Sequence, residues 1–390
     1  MVLVLVLGRP KLLDRRPLVG TKKTYRRAHA APLAGLISER IAFLAATVMQ
    51  NSRKSVPMIA CSRIVNSFTA IIFCVTAAST ASAQAITAPP VELNSPEFYT
   101  KYISADGYPV VASAQVNDYA LREAAFLINM LLAKRPDVRD AMIKSGSRMC
   151  IIGAHEFTID LPEWKWMGVP SEDNKEAEGV TARDFWDARA RGMGGSETDP
   201  YCSCGEENLL NYAGDPYSTE NILIHEFAHN IHLRGLVNVD LTFDPRLKAA
   251  YRKAMSAGLW KGKYASVNHH EYFAEGVQSW FDNNREDDHD HNHVNTREEL
   301  LDYDPELAAL CREVFRDTEL RYTKAVTRLD GHMQGYDPAT APTFVWPERL
   351  RHAQDVIHKQ ATERNKKSQS CDSCSLDIPV RDIGQALVHK

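Results

Sequence analysis

The stretch Ser218-Thr-Glu-Asn-Ile-Leu-Ile-His225-Glu226-Phe-Ala-His229-Asn-Ile-His232 constrains this chain more than any other. Two histidines four positions apart lie one turn apart on the same face of a helix, so both imidazoles can reach one ion. Glu226 stands beside the first and points toward the same space, where it can take a proton from water. The surroundings suit a helix over 218–233. Ser218 or Thr219 can cap it, Glu220 suits the first turn, and Ile222, Leu223, Ile224, Phe227, Ala228 and Ile231 can bury the remaining surface. Arg234-Gly235 reads as its stop. The spacing implies Zn2+ held by His225 and His229.

A catalytic zinc takes three protein ligands and leaves one position open. Downstream, Tyr264-Ala-Ser-Val-Asn-His-His-Glu271-Tyr-Phe-Ala-Glu275 places two carboxylates on one face of a second helix, expected over 268–282. One can ligate the ion while the other accepts the ring N–H of a ligand histidine and fixes its tautomer. Spacing alone leaves open which does which. His232 reads as a surface group or one near the pocket, and Asn268, His269 and His270 as residues that position the helix start. The run NNREDDHDHNH over 283–293 reads as a solvated loop, because it lacks the spacing of a calcium loop; shaping the pocket entrance is the alternative.

With HEFAH at 225–229 and Y-x6-E-[YF]-F-A-E at 264–275, the chain resembles the gluzincin zinc metallopeptidases, in particular the catalytic domain of anthrax toxin lethal factor and its lethal-factor-like relatives. The resemblance covers about 216–283. It implies Glu271 as third ligand, Glu275 as the partner of a ligand histidine, and Tyr264 as donor to the developing oxyanion. It implies an endopeptidase in which Glu226 takes a proton from the attacking water and delivers it to the leaving amine. The toxin's binding and translocation domains have no room in this chain. A zinc amide hydrolase acting on cell-wall or other non-protein substrates would use the same residues. A catalytically silent secreted zinc-containing binding protein is the reading from another class, and the intact Glu226 and Tyr264 weigh against it.

Elsewhere, Leu121, Ala124, Ala125, Ile128, Leu131 and Leu132 recur at helical intervals, predicting an amphipathic helix broken near Pro136. Met149–Ile152 and Phe157–Leu161 read as short strands. The interval 162–216, with Gly-Met-Gly-Gly and Cys-Ser-Cys, reads as functional loops. Further helices are expected at 245–257, 304–327 and 347–362. The expected fold is α+β, a mainly helical zincin-type domain with a small strand-containing N-terminal lobe over 84–215, a zinc-binding helical lobe over 216–362 and a polar tail over 363–390.

Charge is unevenly distributed. Residues 1–83 hold 12 of the 46 Lys/Arg but 2 of the 50 Asp/Glu, leaving 34 basic against 48 acidic residues in the remaining 307. So acidic a body argues against a nucleic-acid-binding surface built on bulk charge; a peptide or protein substrate is what the resemblance to the metallopeptidases implies. Met58 to Ala83 reads as a cleavable signal peptide, with a basic start, an apolar run centred on 68–75 and Ala81-Ser82-Ala83 before Gln84. The run is too short for stable membrane insertion. Residues 1–57 then read as an upstream extension with translation starting at Met49 or Met58. Secretion to the extracellular space would place Cys150, Cys202, Cys204, Cys311, Cys371 and Cys374 in an oxidising compartment, where one to three disulfides are expected.

Overall fold

The computed structural model describes residues 84–170 and 179–370. The leader, the extension before it, and Cys371 and Cys374 lie outside the described residues. A mixed sheet is built from β1 (Lys101–Ala105), β2 (Tyr108–Ala112), β3 (Arg148–Ile152), β4 (Gly192–Met193) and β5 (Tyr201–Gly205). Its strand order is β1-β2-β3-β5-β4. β1 and β2 form a hairpin across Asp106-Gly107, both at positive φ (48° and 92°), the geometry of the two-residue turn that matches strand twist. β2–β3 and β3–β5 are parallel, and β4 returns antiparallel to β5.

Side chains alternate across the sheet. Val110, Ala112, Met149, Ile151, Cys202 and Cys204 face the main core beneath the helices, while Val111, Cys150 and Ile152 face a smaller core with Trp164 and Trp186. This alternation overturns the expectation of disulfides for the four described cysteines, all of which are buried free thiols. Cys150 sits opposite Ser203, so it points away from both Cys202 and Cys204. Those two are neighbours on one face with parallel side chains, and Cys311 lies in a distant helix.

The principal helices are α1 (Asp118–Leu131), α2 (Pro136–Lys144), α3 (Ala182–Arg189), α4 (Ile222–Asn230), α5 (Phe243–Ser256), α6 (His269–Trp280), α7 (Arg297–Tyr303), α8 (Pro305–Phe315) and α9 (Arg351–Ser370). The break predicted near Pro136 separates α1 from α2, because Pro opens a helix but cannot continue one. The single helix expected over 304–327 is shorter: α8 ends at Phe315, with Arg316 at a positive φ of 61°, and only a 3-10 turn at Ala325–Thr327 follows. Asp304 precedes a proline, leaves the helical region and caps α8 by accepting from Leu307 N at 3.1 Å. Phe157–Leu161 is not a strand: Asp160 accepts from Phe157 N at 2.9 Å, favouring a 3-10 turn at Thr158–Asp160. No helix among the described residues is long and apolar enough to cross a membrane. α4 packs between β5 and α6, and α7 and α8 back α6 from the far side, so the two helices singled out in the sequence sit face to face.

Candidate metal centre

α4 starts later than its sequence suggested. Asn221, not Ser218 or Thr219, is the cap, with its side chain accepting from Ile224 N at 3.3 Å. Asn208 holds the approach: its amide donates to the carbonyls of Tyr217 and Glu220, and its oxygen accepts from Ile222 N at 2.8 Å. Nor does the helix stop at Gly235, since a wider π-type turn, Ile231–Leu236, carries it on. A Cβ at Gly235 would lie 2.5 Å from Val138 Cγ1, so this glycine admits α2 rather than ending α4. On the facing helix Asn268 caps α6 by accepting from His270 N and Glu271 N at 2.8 and 2.9 Å, as its place before the helix implied.

These two starts bring His225, His229 and Glu271 together, with one donor atom from each lying within 4.8 Å of the others. Glu271 Oε2 is 3.1 Å from His225 Nε2 and 3.4 Å from His229 Nε2. All three residues are buried. The other Glu271 oxygen, both His229 nitrogens and both Glu226 oxygens are buried without a hydrogen-bond partner among the described residues. Such orphaned atoms cost free energy unless another group engages them, and two imidazoles with one carboxylate form a donor set suited to zinc. The residues therefore fit the ion.

Electrostatics agree. Burial pushes Glu226 up to about 8, with the charges of Glu271 and Glu220 adding to the effect and His225 opposing it. Burial disfavours a charged His225, yet its hydrogen bond to Glu271 and the carboxylates around it outweigh that and hold its pKa above the ordinary range. A field that favours protons on buried imidazole also favours a cation. Tyr264, itself buried, places its ring 6.0 Å from that of His225, centroid to centroid, and its backbone N–H donates to Asp290 O at 2.8 Å.

Glu275 reaches His225 Nδ1, but at 3.5 Å. The nearer partner is one that the sequence reading missed: Gln278 Oε1 stands 2.7 Å from the same nitrogen. Its position, seven after Glu271, puts it on the same helix face, which was the available signal. The 283–293 run is also not simply solvated. Asn283, Asn284, Asp290 and His291 are buried, Asn284 donates to Glu275 Oε2 at 2.9 Å, and His291 Nε2 lies 3.4 Å from that oxygen. His291, Arg285, Glu220, Glu275, Tyr264 and His225 line a cavity of ≈ 10 Å³ beside the metal-facing atoms. His232, expected near the surface, is fully buried and turns away to Asp244, 3.2 Å from Oδ1.

Behind His229 runs the glycine segment. Fully buried Arg191 bonds Glu207 through Nε and Nη2 at 2.6 and 2.8 Å, fixing the start of β4. A Cβ at Gly192 would lie 3.0 Å from Glu226 Cγ, and one at Gly194 2.5 Å from His229 Cδ2. Gly-Met-Gly-Gly is thus the surface on which the α4 site residues rest.

No family model matches the chain, and no curated protein matches it. Among solved structures it is similar to a Pro-Pro endopeptidase from Paenibacillus alvei, at 19% identity over 54% of this chain and 99% of that one, with a TM-score of 0.37. A likeness this loose carries no argument, so the functional reading rests on the side chains.

Proposed function

We propose that this protein is a secreted zinc-dependent endopeptidase of the zincin type. The observation that carries this reading is the convergence of His225, His229 and Glu271 beside a buried carboxylate, Glu226, whose oxygens have no protein partner among the described residues. His225, His229 and Glu271 would hold the ion. Zinc supplies Lewis acidity, which makes water nucleophilic near neutral pH and polarises a carbonyl. Ionised beside a bound cation, Glu226 would take a proton from the attacking water as the oxygen–carbon bond forms. When the carbon–nitrogen bond breaks, the same carboxyl returns that proton to the leaving amine. Tyr264 donates its hydroxyl hydrogen bond to the carbonyl oxygen as charge gathers there. The leader sequence supports export, and the burial that pushes the thiol pKa of Cys150, Cys202 and Cys204 far up suits unpaired cysteines in an oxidising setting.

The test is zinc content and turnover of a broad peptide library by the wild type and by Glu226→Gln. Stoichiometric zinc in both, with a rate loss of about 10²–10⁴ in the variant, is expected. Zinc without turnover by the wild type on any peptide would leave a silent binding protein or a hydrolase of non-peptide amides. Recovery outside the cell of protein starting at Gln84 checks the export reading.

A further inference from the structure

We infer that Gln278 is a positioning residue for the metal centre: it keeps a proton on His225 Nδ1 and so presents Nε2 as the ligand atom, with Glu220 deciding which end of the amide faces the histidine. This rests on the zinc reading above. Gln278 is fully buried in α6, and both ends of its side chain are engaged. Oε1 stands 2.7 Å from His225 Nδ1, and Nε2 donates to Glu220 Oε2 at 2.9 Å. An ionised carboxylate only accepts hydrogen bonds. The other oxygen of Glu220 lies 3.1 Å from Arg285 Nε, which keeps that carboxylate in a charge pair. Turning the amide over would set its oxygen against a carboxylate oxygen at hydrogen-bond distance, so the NH₂ end must face Glu220. The carbonyl end is then left for His225, and a carbonyl can only accept. Nδ1 must therefore carry the hydrogen, and Nε2 is the nitrogen turned to Glu271 at 3.1 Å.

Glu275 is the rival for this task. Its Oε1 reaches Nδ1 only at 3.5 Å, while its Oε2 accepts from Asn284 at 2.9 Å and faces His291 at 3.4 Å. The hydrogen bond to His225 therefore belongs to the amide. A neutral acceptor also orients the ligand without adding another negative charge beside Glu226, Glu271 and Glu275.

The experiment measures zinc affinity of the full chain by competition with a chromophoric chelator, for the wild type and for His225→Ala, Gln278→Leu and the double variant Gln278→Glu with Glu220→Gln. Thermal unfolding of each metal-free form runs alongside. Gln278→Leu should weaken zinc about 10–100-fold, the usual cost of losing a ligand's outer partner. Gln278→Glu, combined with Glu220→Gln so that a donor faces the new carboxylate, retains an acceptor oxygen toward His225 and should recover most of that loss. In zinc-loaded wild type, nitrogen NMR of the imidazoles should show the His225 proton on Nδ1. That readout and the double variant decide the matter if the Leu variant does not fold. A His225 Nδ1 without a proton, or a folded Gln278→Leu that binds zinc as the wild type does, overturns the inference. If His225→Ala also binds zinc normally, the zinc reading falls with it; if His225→Ala loses zinc while Gln278→Leu does not, only the positioning role falls.

Discussion

α4, with the turn that extends it, and α6 meet in two groups of histidines, and the groups behave in opposite ways. At the front, His225 and His229 share Glu271, with Glu226 and Glu275 close by. At the rear, His232 and His269 share one carboxylate, Asp244, which lies 3.2 Å from His232 Nε2 and 3.3 Å from His269 Nε2. Lys248 also takes Asp244, at 2.8 Å, and His270 Nδ1 sits 3.4 Å from His232 Nδ1. The front imidazole His225 is held above its ordinary pKa. All three rear imidazoles are pushed down, first by burial and then by their neighbours: His269 to about 4 and His270 to about 2. Burial is no deeper at the rear, where His269 and His270 are half-buried, than at the front, so the number of carboxylates per imidazole makes the difference. The front is built to hold positive charge and the rear to remain neutral, packed on Phe243 and Phe273.

The largest effect should come from breaking the front. Structural zinc sites bind with about 10–16 kcal/mol, so removing one of three protein ligands costs roughly 3–5 kcal/mol, more than a hundredfold in affinity. Glu271→Ala should therefore lose zinc on dialysis, as read by atomic absorption. Glu275→Ala should lose far less, and His232→Asn should keep a full equivalent. Retention by Glu271→Ala, or loss by His232→Asn, would erase the distinction between the groups.

How much of this contrast was legible in sequence depends on whether the contact was local. His225, His229 and Glu226 follow from helical spacing, whereas spacing left Glu271 and Glu275 open and the resemblance singled out Glu271, which the structure brings to the two histidines. Gln278 lay on the same face but carries no charge, so nothing marked it out. His232 was misplaced because its burial depends on α5, which supplies Asp244 from outside the motif. The run 283–293 looked solvated because its composition is polar, yet its Asn284 and His291 find Glu275 and its Arg285 finds Glu220, long-range pairings no local pattern displays. The disulfide expectation failed because cysteine number says nothing about strand register, and it is the register of β3 with β5 that turns Cys150 away from Cys202 and Cys204. The α+β class was legible from the order of helical and extended stretches; the sheet order was not.

Two glycines sharpen the comparison at smaller cost. In Gly194→Ala the new methyl would lie 2.5 Å from His229 Cδ2 and 2.8 Å from its Cβ, so the ligand itself must move. In Gly235→Ala it would lie 2.5 Å from Val138 Cγ1 and 3.0 Å from Met142 Cγ, on the far side of the helix extension. Overpacking of this kind costs about 1–3 kcal/mol in either case. Calorimetry should show both variants destabilised, but only Gly194→Ala should also bind zinc more weakly, by about tenfold for each 1.4 kcal/mol passed to the ligand. Equal zinc affinity in the two would mean that His229 is not seated by the glycine segment.

The smallest effect is in pH, and its sign separates the two groups. A histidine whose folded pKa lies above its unfolded value stabilises below the unfolded value and loses that contribution as pH rises through the folded one; His225 in the metal-free protein is such a group. His269 is the reverse, with a folded value of about 4 against 6.5 unfolded. Between these values the unfolded chain binds more protons, so stability present above pH 6.5 is lost as pH falls toward 4. Metal-free wild type should therefore lose stability over that interval more steeply than His269→Gln, measured by denaturant melts at fixed ionic strength. Parallel slopes would mean that His269 gains as much from Asp244 as it loses to burial and to its histidine neighbours. The rear group would then be a second centre of positive charge rather than a neutral core.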